Sequence, residues 1–256
     1  VCPPTGEGLP ALLQGLQTCL HSQHQRDDDG PLLVPIDRRF VVEGFGAVVT
    51  GSLVRGQLEV GDRVVMLPHH PVLRVRVLHV HGIGVDKAVA TTRIAVNLPD
   101  LKGHDVGRGA VLVRPDECAV GRVVDVELRW LPHHKTPVHG NLNGNVLLGT
   151  AHAQARLHVD GTILPGESGT AHMVLDRAIP LPGGGRFVLQ GTAPTNHGAV
   201  LGGGRILDAV PARRRSAVFR KKLQRGVDPV AVLLEEAAFV GLGEGDIPIR
   251  LGRLAS

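Results

Sequence analysis

The chain has 256 residues, of which 43% are apolar and only 2% aromatic, so it can form ordinary cores but has little means of stacking nucleic-acid bases on aromatic rings. The net charge of +4 comes from one stretch, because residues 212–225 hold seven basic side chains and no acidic one, whereas the other 21 basic residues face 24 acidic ones. This distribution excludes a protein that is basic over its whole surface.

Cysteine use and hydropathy predict where the protein is found. Cys2, Cys19 and Cys118 lie far apart, without the spacing of a metal site or a disulfide framework, which favours a reducing compartment. No apolar run is long enough to span a membrane, and nothing reads as a signal peptide. The sequence therefore predicts a cytoplasmic protein with no membrane partner.

Residues 1–25 predict one amphipathic helix. Its leucines recur at the i, i+3, i+4, i+7 spacing of a single helix face, at Leu9, Leu12, Leu13, Leu16 and Leu20. Such a face needs a partner surface. A solvated linker is expected at residues 26–30.

Two β units are expected next, at 31–115 and 118–211. Short apolar runs separated by glycine turns are typical of small antiparallel barrels. The apolar phase flips within Val72–His81, which predicts a β-bulge there. In the second unit, residues 151–159 alternate cleanly between apolar and polar, as in a half-buried strand.

The glycine-rich stretches and the residues after 211 are the remaining segments whose structure the sequence predicts. Residues 44–46, 183–185 and 202–204 are interpreted as turns, because they lack the lysine and the following helix of a phosphate-binding loop. The basic stretch 212–225 is expected to be helical, and Asp228-Pro229 predicts the start of a further helix through Ala238.

No catalytic or metal site is predicted. The chain contains no phosphate-loop motif, nucleophile elbow or catalytic triad signature. Leu-Pro-His-His occurs at 67–70 and 131–134, but without acidic or cysteine partners at ligand spacing these are interpreted as exposed loops.

Several stretches carry a family resemblance. Gly46–Gly51, Gly56 and Val60–Asp62 resemble the second-domain barrel of translational GTPases such as elongation factor Tu. Pro35–Phe40 and Thr92–Asn97 narrow the resemblance to the bacterial selenocysteine-specific elongation factors. The resemblance implies a mainly β fold of two consecutive antiparallel translation-factor barrels, followed by a basic helix and the start of a winged-helix module.

The resemblance also implies an order of domains. Residues 1–25 would be the last helix of a GTPase domain, 31–115 domain II, 118–211 domain III, and 212–256 the basic linker helix with a truncated winged-helix module. The rest of the GTPase domain is expected before Val1 and further winged helices after Ser256. GTP and magnesium are therefore cofactors expected of the full-length family, and none is expected in this portion.

The resemblance assigns an aminoacyl pocket to Asp37, Arg38 and Arg93. A selenol is a selenolate at neutral pH, so two arginines could stabilise it and disfavour a neutral serine. Asp37 could pair with the α-amino group or orient Arg38; alternatively, these residues are an ordinary surface pair and a rim residue.

The partners that the resemblance implies are selenocysteyl-tRNA, the ribosome and, through the missing C-terminal modules, an mRNA hairpin. Contacts to tRNA are expected on the polar strand face His152, Gln154, Arg156 and His158, which could equally be solvated. The basic stretch could neutralise tRNA or ribosomal RNA phosphates, or be a solvated linker helix. Its members are Arg213, Arg214, Arg215, Arg220, Lys221, Lys222 and Arg225.

Two alternative functions remain open at this stage. An ATP sulfurylase GTPase subunit shares the barrel pair, although it predicts no winged-helix tail. A structural or interaction barrel without an RNA function is the other alternative.

Overall fold

The computed structural model describes residues 2–21, 28–68, 72–101, 106–191, 200–212, 217–237 and 241–253. The described chain is mainly β, with a short helix at the start, two β assemblies in the middle and three short helices near the end. The predicted fold class is confirmed.

The first assembly contains ten strands, which in chain order are β1 (Val34–Val42), β2 (Gly46–Leu53), β3 (Gln57–Glu59), β4 (Arg63–Leu67), β5 (Val72–Arg74), β6 (Val77–Val80), β7 (Ile83–Val85), β8 (Lys87–Val89), β9 (Thr92–Asn97) and β10 (Val111–Val113). Eight of them form one sheet in the order β5-β4-β10-β1-β2-β9-β6-β7, and β3 pairs with β8. The sheet surrounds one apolar core, in which Ile36, Val49 and Leu112 are fully buried. We call the sheet of eight strands, without β3 and β8, the eight-stranded sheet.

The phase change within Val72–His81 is not a β-bulge, and that prediction is wrong. The segment forms two separate strands, because β5 pairs with β4 at one end of the sheet while β6 pairs with β9 near the other end. The residues between them are held by different partners: Val75 N donates to Asp62 O at 3.0 Å and Arg76 N donates to Asn97 O at 3.0 Å. The apolar phase therefore flips where the chain changes strand partners.

The second assembly is a barrel closed by six antiparallel strands in the order β11-β14-β13-β12-β15-β16. The strands are β11 (Ala119–Trp130), β12 (Val138–Leu148), β13 (Ala151–Ile163), β14 (Ser168–Leu181), β15 (Arg186–Gln190) and β16 (Val200–Asp208). Every odd residue from 151 to 159 is buried and every even one from 152 to 158 is exposed, as the alternation predicts. We call this assembly the closed barrel.

Glycines 202–204 lie inside β16 and do not form a turn, which corrects the prediction. β16 runs between β11 and β15, opposite Arg129 and Val188 at Gly203. A Cβ at Gly204 would overlap the Glu127 carbonyl, and one at Gly203 would stand 2.7 Å from the Phe187 oxygen. These glycines are required because the neighbouring backbones approach so closely.

The helices are short. They are α1 (Leu9–His21), α2 (Ala217–Gln224), α3 (Pro229–Ala237) and α4 (Asp246–Leu251). Asp228 begins α3 as predicted, because its Oδ1 accepts a hydrogen bond from Val230 N at 3.1 Å. In the described parts of the chain, no helix is long and apolar enough to cross a membrane.

Helix α1 presents its leucine face to solvent. Leu9, Leu12, Leu13 and Leu16 are 38–59% exposed. The helix that the leucine spacing predicts is therefore present, and its apolar face is uncovered in this chain.

Candidate functional site

Asp37 lies on a β-bulge in β1. The register with β2 runs from Ile36 opposite Gly51 to Arg38 opposite Thr50, so Asp37 is the extra residue. Gly51 permits the close approach of the two strands, because a Cβ there would lie 2.9 Å from Val34 Cγ1 and overlap the Pro35 carbonyl. The bulge changes the direction of the Asp37 side chain within an otherwise regular hairpin.

Asp37 binds Arg93 in a two-pronged ion pair. Arg93 Nη1 donates to Asp37 Oδ2 at 2.6 Å, and Nη2 donates to Oδ1 at 3.1 Å. The Thr50 hydroxyl donates a third hydrogen bond to Asp37 Oδ1 at 2.7 Å. Parallel hydrogen bonds of this kind fix the orientation of both groups.

Electrostatics at this pair favour the charged carboxylate. The hydrogen bond from Arg93 holds the pKa of Asp37 below its ordinary value; burial opposes this effect, and the Thr50 hydrogen bond and the charges of Arg93 and Arg38 add to it. The same pairing raises the pKa of Arg93. The Arg93 side chain is 52% exposed and that of Asp37 is 25% exposed, so solvent screens the pair and its effect on folding stability is small.

Arg38 stands beside the pair without joining it. Its side chain is exposed, and among the described residues it forms no hydrogen bond or ion pair. The three predicted pocket residues thus come together, but Asp37 is held by Arg93 and not by Arg38. Thr50 was missed, although counting back from the Glu43–Phe45 turn would have set it opposite Arg38.

Replacing Arg93 with alanine should raise the pKa of Asp37 towards 3.8, its unperturbed value. The reason is that the strongest hydrogen bond to the carboxylate is lost, together with its neighbouring positive charge. Carboxyl ¹³C chemical shifts, followed during a pH titration, measure the change directly. Lys87→Ala, which removes an exposed ion pair with Glu59 on β3, is the control and should leave Asp37 unchanged. An Asp37 pKa that does not move in Arg93→Ala would contradict the pairing.

The basic stretch is only partly available to a ligand. Arg213, Arg214 and Arg215 lie outside the described residues. Arg220 is 6% exposed and is bound by Asp160, so the prediction that it contacts nucleic acid is corrected. Desolvated and held by a carboxylate, its guanidinium cannot reach a phosphate.

The other basic residues of this stretch lie nearer the surface. Lys222 Nζ is 2.7 Å from Glu235 Oε2 and lies 5.5 Å above the Phe219 ring. Lys221 and Arg225 are exposed, and in the described chain neither has an acidic partner within ion-pair distance. These two side chains are therefore the most accessible positive charges of the described part of this stretch.

The closed barrel carries an exposed polar strip on β12 and β13. His152, Gln154, Arg156 and His158 are exposed as predicted. Three asparagines of β12 extend this surface, because Asn141, Asn143 and Asn145 lie directly opposite His158, Arg156 and Gln154. His158 Nδ1 lies 3.2 Å from Asn141 Oδ1. The asparagines were missed, although their every-second-residue spacing was visible in the sequence.

The histidine pairs contribute no cluster that could bind a metal in the described residues. No group of three or more His, Cys, Asp or Glu side chains comes together there. His134 stacks on Trp130 with ring centroids 3.9 Å apart, and its Nε2 lies 2.7 Å from Leu201 O. His69 and His70 lie outside the described residues.

Comparison with known proteins gives consistent matches. The chain is 31% identical over 218 residues to the selenocysteine-specific elongation factor of Desulfomicrobium baculatum, covering 82% of this chain and 33% of that protein. It is 30% identical over 217 residues to the Escherichia coli selenocysteine-specific elongation factor, covering 82% of this chain and 32% of that one. No protein-family model matches.

A solved structure agrees with these relatives. The crystal structure of a bacterial selenocysteine-specific elongation factor superposes on 98% of this chain and 41% of its own, with a TM-score of 0.77 and 27% identity. The chain spans about a third of the length of the curated relatives that it matches.

Proposed function

Because this chain belongs to the selenocysteine-specific elongation factor family, within the elongation factor Tu superfamily of translational GTPases, we propose that it binds selenocysteyl-tRNA and holds the aminoacyl end at Asp37, Arg38 and Arg93. The observation that carries the proposal is the Asp37–Arg93 ion pair, whose two charges cancel, with the exposed Arg38 beside it. Such a site keeps one positive charge for an anionic ligand.

The geometry gives Asp37, Arg38 and Arg93 different roles in the proposed pocket. Both terminal nitrogens of Arg93 already donate to Asp37, so Arg93 positions the carboxylate and contributes little net charge. Arg38 then supplies the main contact to a selenolate. Asp37, which is kept ionised by Arg93, can accept a hydrogen bond from the α-amino group of the aminoacyl ester.

One arginine gives a smaller discrimination than the two expected from the sequence. A hydrogen bond to a charged group contributes about 1.5–3 kcal/mol. One such contact corresponds to roughly a 10- to 100-fold preference for a selenolate over a neutral serine hydroxyl. Further rejection would come from the desolvation of Arg38 without an anionic partner.

The remaining surfaces would contact the nucleic acid backbone. The polar strip on β12 and β13 offers amide, imidazole and guanidinium donors, and Lys221 and Arg225 offer two charges. We propose that these surfaces contact tRNA, the ribosome or both, in the cytoplasm. GTP and magnesium, together with the mRNA hairpin, belong to this proposal only as ligands of a full-length family member, since the 256 residues contain no phosphate-loop motif.

The test compares the binding of selenocysteyl-tRNA and seryl-tRNA to the wild-type chain and to Arg38→Ala. We expect the variant to lose about 10- to 100-fold in affinity for selenocysteyl-tRNA, and much less for seryl-tRNA, because only the former presents an anion. Filter binding over a salt series, with matched tRNA bodies, measures both affinities.

Arg63→Ala is the matched control, because Arg63 is exposed on β4, away from the pocket. An equal loss for both aminoacyl-tRNAs in Arg38→Ala would overturn the selenolate role while leaving tRNA binding intact. No binding of either tRNA by the wild-type chain would count against the proposed function and favour an interaction barrel or an ATP sulfurylase subunit.

A further inference from the structure

We call α2, α3 and α4, which follow the closed barrel, the tail helices. Two of them each place one arginine against a carboxylate of the closed barrel. Arg220 of α2 donates from Nε to Asp160 Oδ2 at 2.7 Å and from Nη2 to Oδ1 at 2.8 Å. Arg250 of α4 donates from Nε to Asp208 Oδ1 at 3.1 Å and from Nη2 to Oδ2 at 2.6 Å. We call these two pairs the arginine clamps. Each clamp is two-pronged, so it fixes an angle as well as a distance.

Both clamps are buried. The side chains of Asp160 and Asp208 are 4% and 0% exposed, and those of Arg220 and Arg250 are 7% and 14% exposed. Water therefore cannot easily replace either partner, and the guanidinium groups are held where the barrel carboxylates lie.

Additional polar groups surround the first clamp. The Thr170 hydroxyl donates to Asp160 Oδ2 at 2.7 Å. Asp125, fully buried on β11, lies 3.5 Å from Arg220 Nη1 and 2.8 Å from His172 Nδ1. The clamp thus joins α2 to β11, β13 and β14, which are three neighbouring strands of the barrel.

The second clamp lies beside a close backbone contact. Ala209 N donates to Arg250 O at 3.0 Å, and Gly252 after α4 has φ 67° and packs against Gly183 of the barrel. A Cβ on Gly252 would overlap the Gly183 carbonyl. Arg55, between β2 and β3 of the first assembly, donates to that same carbonyl at 3.1 Å, so all three parts of the fold meet there.

We propose that the tail helices and the closed barrel form one rigid body, whose relative orientation is set by the arginine clamps. The tail is then a fixed extension of the barrel, not a flexible linker, and a domain or ligand attached beyond α4 is held in a set direction. This proposal does not depend on which RNA the barrel binds.

The clamps are assigned the role of orienting the tail helices on the closed barrel, more than that of holding them to it. Leu207, Leu223 and Val232 form an apolar contact between barrel and tail that does not involve either arginine. Buried ion pairs can often be replaced by apolar side chains without loss of stability, whereas hydrophobic contacts are non-directional. Removing only the arginines would instead leave the Asp160 and Asp208 carboxylates buried without their partners, which is strongly destabilising. A double Arg220→Lys and Arg250→Lys variant keeps both charges but loses the two-pronged geometry, so it should stay folded and lose the fixed angle.

The experiment measures distances between spin labels by pulsed electron paramagnetic resonance. Labels are attached at Gln154→Cys on the barrel and Leu234→Cys on α3, both exposed sites, in a background in which Cys2, Cys19 and Cys118 are replaced by serine. The labelled chain with both clamps intact should give one narrow distance distribution. The double lysine variant should give one about twofold broader, since the apolar contact alone does not fix the angle.

Lys222→Met is the matched control, because it removes an exposed ion pair from the same helix, and its distribution should stay narrow. If the double lysine variant does not fold, the single Arg220→Lys and Arg250→Lys variants decide. Lysine keeps the charge but loses the two-pronged geometry, so broadening is still expected. A broad distribution in the chain with intact clamps, or narrow distributions in every variant that folds, would overturn the proposal.

Discussion

Replacing Gly204 with alanine is expected to destabilise the closed barrel by at least about 3 kcal/mol, at the upper end of the cost of overpacking. The added Cβ would overlap the Glu127 carbonyl oxygen and stand 2.8 Å from its carbon and 3.3 Å from Leu128 Cα. All three are backbone atoms of β11, so no side-chain rotation can relieve the contact. Relief requires β16 to move out of the barrel that it closes.

Urea unfolding followed by Trp130 fluorescence measures this loss. Trp130 is the only tryptophan and is buried in the closed barrel, so its signal reports on that assembly. Gly107→Ala is the control, because among the described residues no atom beyond its chain neighbours lies within 4 Å of the position that its Cβ would take. A loss below about 1 kcal/mol at Gly204, the size of an ordinary surface effect, would show that β16 adjusts its position.

Removing the carboxylate of Asp160 should cost about 3–5 kcal/mol at neutral pH, because it leaves the buried Arg220 guanidinium without its main partner. Asp160→Ala leaves the apolar barrel–tail contact in place, so the loss isolates the uncompensated charge. Asp176→Ala, on the exposed face of the neighbouring strand β14, is the control and should cost less than about 1 kcal/mol.

The pH dependence provides a second test of Asp160. Burial by itself raises its pKa, but hydrogen bonds from Arg220 and Thr170 and the charge of Arg220 outweigh it, so the pKa lies below 3.8. A carboxyl group whose folded pKa is lowered stabilises the protein above its unfolded pKa and loses that contribution as the pH falls through the folded value. The deficit of Asp160→Ala should therefore shrink below pH 3.8. A deficit that stays constant as the wild type is acidified would contradict the charged pairing.

Local periodicity predicted the strands, because the period of two is a property of neighbouring residues. Residues 151–159 alternate between the interior of the barrel and solvent as expected. The same reasoning failed for Val72–His81, since a change of strand partner and a bulge produce the same change of phase. The interpretation of Gly202–Gly204 as a turn, which rested on composition, was also wrong, because glycine permits a close approach of strands as well as a turn.

The candidate sites, too, could be predicted from the sequence only in part. Counting back from the hairpin turn sets Thr50 near Asp37, but the bulge at Asp37 depends on the close packing of Gly51 against β1. Arg93, 56 residues along the chain from Asp37, was linked to it only through the family resemblance. Arg220 was misread as a surface charge, because its partner Asp160 lies 60 residues earlier and nothing local marks the pair.

The two β assemblies differ in how they are protected from pairing with other molecules. A closed barrel has no free strand edge, whereas an open sheet offers unpaired backbone groups to which a second chain can add. The eight-stranded sheet ends in β5 and β7, and each of these terminal strands is only three residues long. Charged residues lie at both, since Arg74 ends β5 and Arg76 follows it closely, while Asp86 and Lys87 follow β7. Short length and charge thus limit intermolecular β-sheet growth at the open sheet, while closure prevents it at the barrel.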